Sequence, residues 1–137
     1  MKTRRLGKTN LQVSEIGFGG EWLERHPEEE SIELIRYASS KGINILDCWM
    51  ADPKSRDIIG KGIKENRSQW FIQGHIGSTW KDNRYFRTRD MKYVRPAFED
   101  LLKRLQTDYI DLGMIHYIDS EEEWEQIQHS DYMDYVM

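Results

Sequence analysis

The sequence is short of the residues that would staple it or anchor it. Of its 137 residues only Cys48 is a cysteine and only three are prolines. A lone cysteine excludes an internal disulfide, and a cytoplasmic setting is the default expectation. No apolar run approaches the ~20 residues needed to cross a bilayer. Met1-Lys2-Thr3-Arg4-Arg5 is followed by no apolar signal core, so no membrane partner is expected. A basic excess is also missing. Twenty Lys and Arg stand against 24 Asp and Glu, a net charge of -4 mixed along the chain, which argues against a nucleic-acid partner. What is present is core material. Five Trp and seven Tyr in a chain of this length suit one domain spanning residues 1–137.

The hydrophobic pattern alternates between two periods. Residues 2–14 predict a β-hairpin, with Gly7-Lys8-Thr9-Asn10 as its turn. Glu15 to Gly20 predicts a short strand ending in a glycine loop. Pro27 and the following three glutamates suit a helix start, Ile32, Ile35 and Ala38 share one helical face, and Gly42 caps the end. The pattern then repeats. Ile43 to Leu46 is a strand ending at Asp47, and residues 54–64 are a helix. Trp70 to Gln73 is a strand ending at Gly74-His75. Ser78 to Arg89 is expected to be a polar, aromatic loop, in which Trp80, Tyr85 and Phe86 could wall a pocket or simply pack the loop down. Residues 90–105 carry the strongest apolar stripe, Val94, Phe98, Leu101, Leu102 and Leu105. Tyr109 to Ile115 is a strand ending at His116, and the tail from Ser120 is helical with Ser120 as its cap. A hairpin followed by βα units over residues 15–137 predicts an α/β fold with a parallel sheet.

In such folds chemistry gathers at the C-terminal ends of the strands. Those ends hold Gly19-Gly20-Glu21-Trp22, Asp47, His75 and His116, with Asp52 in the loop past Asp47. Three ionisable residues ending three consecutive strands make a candidate site. All four ionisable side chains are also acceptable zinc or iron ligands, but their spacing matches no recognised metal motif, and no metal is expected.

Three stretches carry a family likeness. Arg5-Leu6-Gly7-Lys8-Thr9 leading to Ile16-Gly17-Phe18-Gly19-Gly20, then Gly42-Ile43-Asn44-Ile45-Leu46-Asp47, then Arg104-Leu105-Gln106-Thr107-Asp108-Tyr109-Ile110-Asp111 leading to His116, together resemble the aldo-keto reductases. The resemblance implies the N-terminal half of a (β/α)8 TIM barrel, about four βα units of the eight. It implies NADPH-dependent reduction of a small carbonyl substrate. It also implies that the chain is a truncated or cleaved piece of a longer protein, with open barrel edges that invite homo-oligomers. Gly74-His75-Ile76-Gly77-Ser78 further resembles a bacterial subgroup with an appended ferredoxin-like domain, whose cluster one cysteine could not bind.

In the family a Tyr donates the proton, a Lys–Asp pair lowers its pKa, and a His orients the carbonyl. Asp47 matches that Asp and His116 that His. The Tyr position, five residues past the Asp, holds Asp52, and the Lys position holds His75. An exposed Asp, with an ordinary pKa of about 3.9, keeps no proton at neutral pH unless burial raises it. A histidine is the better acid, and Asp47 could pair with His75 to hold it protonated. The resemblance puts Gly19, Gly20, Glu21, Trp22 and Asp47 beside the nicotinamide and its ribose. Gly17-Phe18-Gly19-Gly20 lacks the G-x-G-x-x-G spacing of a dinucleotide fingerprint. Two readings follow: an oxidoreductase half-domain, or a non-catalytic oligomerising scaffold that keeps the fold with an altered site.

Overall fold

A computed structural model describes residues 1–137. Strands β1 (Thr3–Arg5) and β2 (Gln12–Ser14) form the expected antiparallel hairpin, with Thr3 opposite Ser14 and Arg5 opposite Gln12. Its turn passes through Gly7 at φ +51°, a conformation that favours glycine. Asn44 hooks this hairpin to the sheet. Its Oδ1 accepts the Ser14 N–H at 2.7 Å, and its Nδ2 donates to the Gln12 carbonyl at 2.9 Å.

The main sheet has four parallel strands in chain order: β3 (Phe18–Gly19), β4 (Ile45–Cys48), β5 (Phe71–Ile76) and β8 (Leu112–Ile115). Helices α1 (Glu28–Ser40), α2 (Pro53–Ile63) and α3 (Met91–Leu105) connect them. Alternation along the strands sets the two faces. Leu46, Cys48, Ile72 and Ile76 are buried toward the helices, while Ile45, Asp47, Phe71, Gln73 and His75 lie on the half-buried opposite face. Ile35, Ile58, Ile59, Ile63, Trp70, Leu101 and Leu105 fill the helix side. No helix is long and apolar enough to cross a membrane.

The helices end as the sequence suggests. Gly42 adopts φ +83°, and the Ile43 N–H turns back to the Ala38 carbonyl at 3.1 Å, closing α1. Asp90 caps α3 through the Lys92 N–H. Close packing of α2 on α3 depends on Gly60, where an added Cβ would lie 2.1 Å from the Arg104 carbonyl oxygen. The obstacle is backbone and cannot swing aside. Gly60→Ala should therefore lower stability by about 2–3 kcal/mol in urea unfolding, although alanine is the better helix former by about 1 kcal/mol.

Two expectations need correction. The stretch from Ser78 to Arg89 is not a loop but a second antiparallel hairpin, β6 (Ser78–Lys81) with β7 (Arg84–Arg87). Its two-residue turn, Asp82-Asn83, has positive φ at both positions, 51° and 58°, as a tight hairpin of this twist requires. The tail is not one helix but two, α4 (Glu121–Gln128) and α5 (Asp131–Val136). Ser120 caps the first and Ser130, through the Met133 N–H, caps the second, so the chain is broken where a new cap begins.

Candidate active site

Parallel pairing brings the strand ends to one edge. Asp47 lies opposite Gln73 in the ladder, and His75 opposite Met114, two positions before His116. The inward side of β5 therefore stacks Gln73 and His75 beside Asp47. The Asp47 Oδ1 lies 3.0 Å from the His75 Nε2 and accepts the Gln73 Nε2–H at 3.0 Å. The His75 Nδ1 lies 2.9 Å from the His116 Nδ1, and the His116 Nε2 lies 2.6 Å from the Tyr85 hydroxyl. Four side chains form one unbroken hydrogen-bonded line.

Valence fixes its polarity. An ionised carboxylate only accepts, so the His75 Nε2 carries the hydrogen toward Asp47. With His75 neutral, its Nδ1 accepts, and the His116 Nδ1–H donates to it. The His116 Nε2 then accepts the Tyr85 hydroxyl. These tautomers follow from the network.

The line is sheltered. His116 is 1% exposed, and its ring lies nearly parallel to Trp49 at 5.8 Å and edge-on to Tyr85 at 5.7 Å. Burial, reinforced by His75 and by Arg89 and Arg87, pushes the His116 pKa down to about 4. Burial likewise raises the Tyr85 pKa, so the phenol keeps its proton at neutral pH. Arg89 fixes the turn after β8 by donating to the His116 carbonyl at 2.6 Å and to the Tyr117 carbonyl, and it pairs with Glu123. Cys48 faces the helices, where burial pushes its thiol up to about 12, so it offers no thiolate.

A histidine with a depressed folded pKa couples stability to pH. Between 6.5 and about 4 the unfolded chain binds a proton that the folded chain refuses. The stability present above 6.5 should thus drain as pH falls toward 4. Urea midpoints across that window should fall more steeply for the parent chain than for His116→Asn. Equal slopes would reject the depressed pKa.

The other candidate residues divide. Asp52 does not join the line; its carboxylate caps α2, accepting the Ser55 N–H at 2.9 Å. Gly19 is exposed at the end of β3, and an added Cβ there would meet nothing within 4 Å. Gly20 is buried, and an added Cβ would lie 2.7 Å from the Asp47 carbonyl oxygen, so it serves the packing of β3 on β4. Glu21 is partly exposed. Trp22 is exposed at φ 70°, with the Arg25 guanidinium 3.4 Å above its ring. No group of three or more His, Cys, Asp and Glu side chains is arranged to hold a metal ion. Sequence reasoning missed Tyr85 as part of the line. The Asp82-Asn83 turn between Thr79-Trp80 and Tyr85-Phe86 was the signal that would have found the hairpin carrying it.

Comparison with known proteins shows a family and a fold. The sequence pattern of the aldo/keto reductase family matches residues 15–135. The aldo-keto reductase YhdN of Bacillus subtilis is 36% identical over 128 residues, which cover 87% of this chain and 39% of that protein. The chain thus spans about two fifths of the length of the curated relatives it matches. Among solved structures, a Pseudomonas aeruginosa protein assigned to the aldo-keto reductases superposes with a TM-score of 0.82 at 27% identity, covering 98% of this chain and 54% of its own. An aldo-keto reductase of Klebsiella pneumoniae, crystallised with NADPH, shares the fold at a TM-score of 0.68 and 22% identity, over 93% of this chain and 44% of its own.

Proposed function

Because this chain belongs to the aldo/keto reductase family, we propose that it carries the proton-delivering face of an NADPH-dependent reductase of small aldehydes or ketones. The observation that carries this reading is the unbroken line from Asp47 through His75 and His116 to the Tyr85 hydroxyl.

The residues at the strand ends suit the nicotinamide and ribose end of NADPH. Open backbone at Gly19, the exposed ring of Trp22 and the part-exposed Asp47 would hold it. When bound, NADPH supplies the hydride. The carbonyl oxygen that develops negative charge then needs a proton from this chain.

Tyr85 is the donor. Adding one proton to His75 leaves its Nε2–H on Asp47 and reverses the two links beyond it. The His75 Nδ1–H then donates to the His116 Nδ1, the His116 Nε2–H donates to the phenol oxygen, and the phenol hydrogen is free to point at a carbonyl. The charge of the imidazolium is balanced by Asp47 at 3.0 Å. The low pKa of His116 keeps that charge on His75. Delivery moves one proton from His75 to His116, one from His116 to the phenol oxygen and the phenol proton to the carbonyl oxygen, and leaves Asp47 ionised and both imidazoles neutral. A proton from water at His75 resets the line. Gln73 holds Asp47 in place throughout. Asp52 fixes the start of α2 and lies outside the line.

Titration of NADPH into the purified chain, followed by tryptophan quenching and then by carbonyl-dependent oxidation, tests this. Saturable micromolar binding with turnover is expected. No binding at millimolar NADPH would end the reading for this chain. The buried, unreactive Cys48 is consistent with a cytoplasmic setting. A scaffold reading draws on one observation: β3 and β8 each pair on one side only, and the exposed Met114 lies on the adjoining face. Light scattering that shows a stable dimer without NADPH binding would favour it.

A further inference from the structure

Behind the β6–β7 hairpin, between it and the helices α2 and α3, lies a cavity of about 370 Å³. It is separate from the Asp47–Tyr85 line. Its lining is cationic and aromatic together. Arg56 lines it while only 2% exposed; its Nη1 donates to the Ala97 carbonyl and to Asp100, and its Nε has no hydrogen-bond partner. That Nε is sealed from solvent, so Arg56 brings charge to the cavity wall and not a free donor. Lys81 and Lys92 both stand over the ring of Tyr93, at 5.3 and 5.5 Å from its centroid, and neither has an acidic partner. Phe86 meets the same ring edge-on at 5.5 Å. The one carboxylate in the lining, Asp100, is already shared by Arg56 and Arg104.

This combination selects for a flat anion. Two free ammonium groups and a buried guanidinium attract negative charge, and the aromatic edge and apolar walls remove a ring from water. The hairpin forms one wall of the cavity through Lys81 and Phe86, while its Tyr85 reaches His116. We propose that this cavity is a second ligand site, taking a small aromatic carboxylate, and that its occupant braces the hairpin carrying Tyr85. Binding at this site does not depend on the carbonyl reaction, so the two readings can fail separately.

Benzoate is the probe, titrated into the full chain at fixed ionic strength by calorimetry. Acetate supplies charge without a ring, and benzamide a ring without charge. Benzoate should saturate, with acetate and benzamide each at least about tenfold weaker. The double substitution Lys81→Gln with Lys92→Gln involves two exposed side chains and should leave the circular dichroism unchanged. It should weaken benzoate at least about tenfold. Amide hydrogen exchange across residues 79–87 should slow when benzoate is bound. No saturation, equal binding of acetate or benzamide, or full affinity in the double variant would overturn the site. Saturation with unchanged exchange would overturn the bracing.

Discussion

Tyr85→Phe is expected to cut carbonyl turnover by about 10²- to 10⁴-fold, the usual contribution of a positioned general acid. The phenylalanine keeps the ring that packs edge-on against Trp49 and His116, so the loss should fall on kcat and spare NADPH affinity. Removing the hydroxyl takes away both the hydrogen given to the carbonyl and the partner 2.6 Å from the His116 Nε2. His116, now at the end of the line and 1% exposed, is a poor substitute, because with a pKa of about 4 it carries no proton beyond that of its neutral ring at neutral pH. Residual activity should therefore rise as pH is lowered toward 4. Unchanged kcat in Tyr85→Phe would remove Tyr85 from the mechanism and return the role of acid to a histidine.

Asp111→Ala should nearly unfold the chain, at a cost of about 3–5 kcal/mol, against a whole-domain stability of about 5–15 kcal/mol. One carboxylate oxygen of Asp111 accepts from the Ile72 N–H at 2.8 Å and from the Arg67 Nη2 at 2.9 Å. Arg67 also donates to the carbonyls of Trp70 and Tyr109 and to the Thr107 hydroxyl, and its guanidinium lies over the Tyr109 ring. The pair thus ties the entry to β5 to the entry to β8. Truncating the acid leaves a mostly buried cation and an orphaned strand N–H. Asp111→Asn keeps an acceptor and should cost clearly less. Urea unfolding of the two variants measures the difference, and similar stabilities would show that a neutral acceptor contributes little and that the charge carries the effect.

Much of the site was legible because a parallel sheet sends every strand end to one edge. Asp47, His75 and His116 could be gathered from their positions at the ends of apolar runs, before any contact was known. Strand limits were less legible. Tyr109 and Ile110 read as strand, yet β8 starts at Leu112, because the Asp111 carboxylate competes for the Ile72 N–H at the entry to the ladder. Asp52 looked like a reacting group by its spacing from Asp47. Its local sequence said otherwise, since Asp before Pro53, with Ser55 two residues beyond, is a helix start. Tyr85 could not be placed from pattern alone. Its reach to His116 depends on how the hairpin folds back over the sheet, and no periodicity encodes that.

The hairpin has a consequence beyond the reaction itself. β6 and β7 exchange backbone hydrogen bonds with each other and form a sheet of their own. The unit enters at Gly77, at φ +101°, and closes where the Thr88 N–H returns to the Gly77 carbonyl at 3.1 Å. A self-contained attachment of this kind can be lengthened, shortened or exchanged without shifting the register of the strands beneath. Asp47, His75 and His116 belong to the parallel sheet and its edge, whereas Tyr85 belongs to the attachment. Variants of this chain could move the Tyr85 hydroxyl by editing one short segment while the parallel sheet stays fixed.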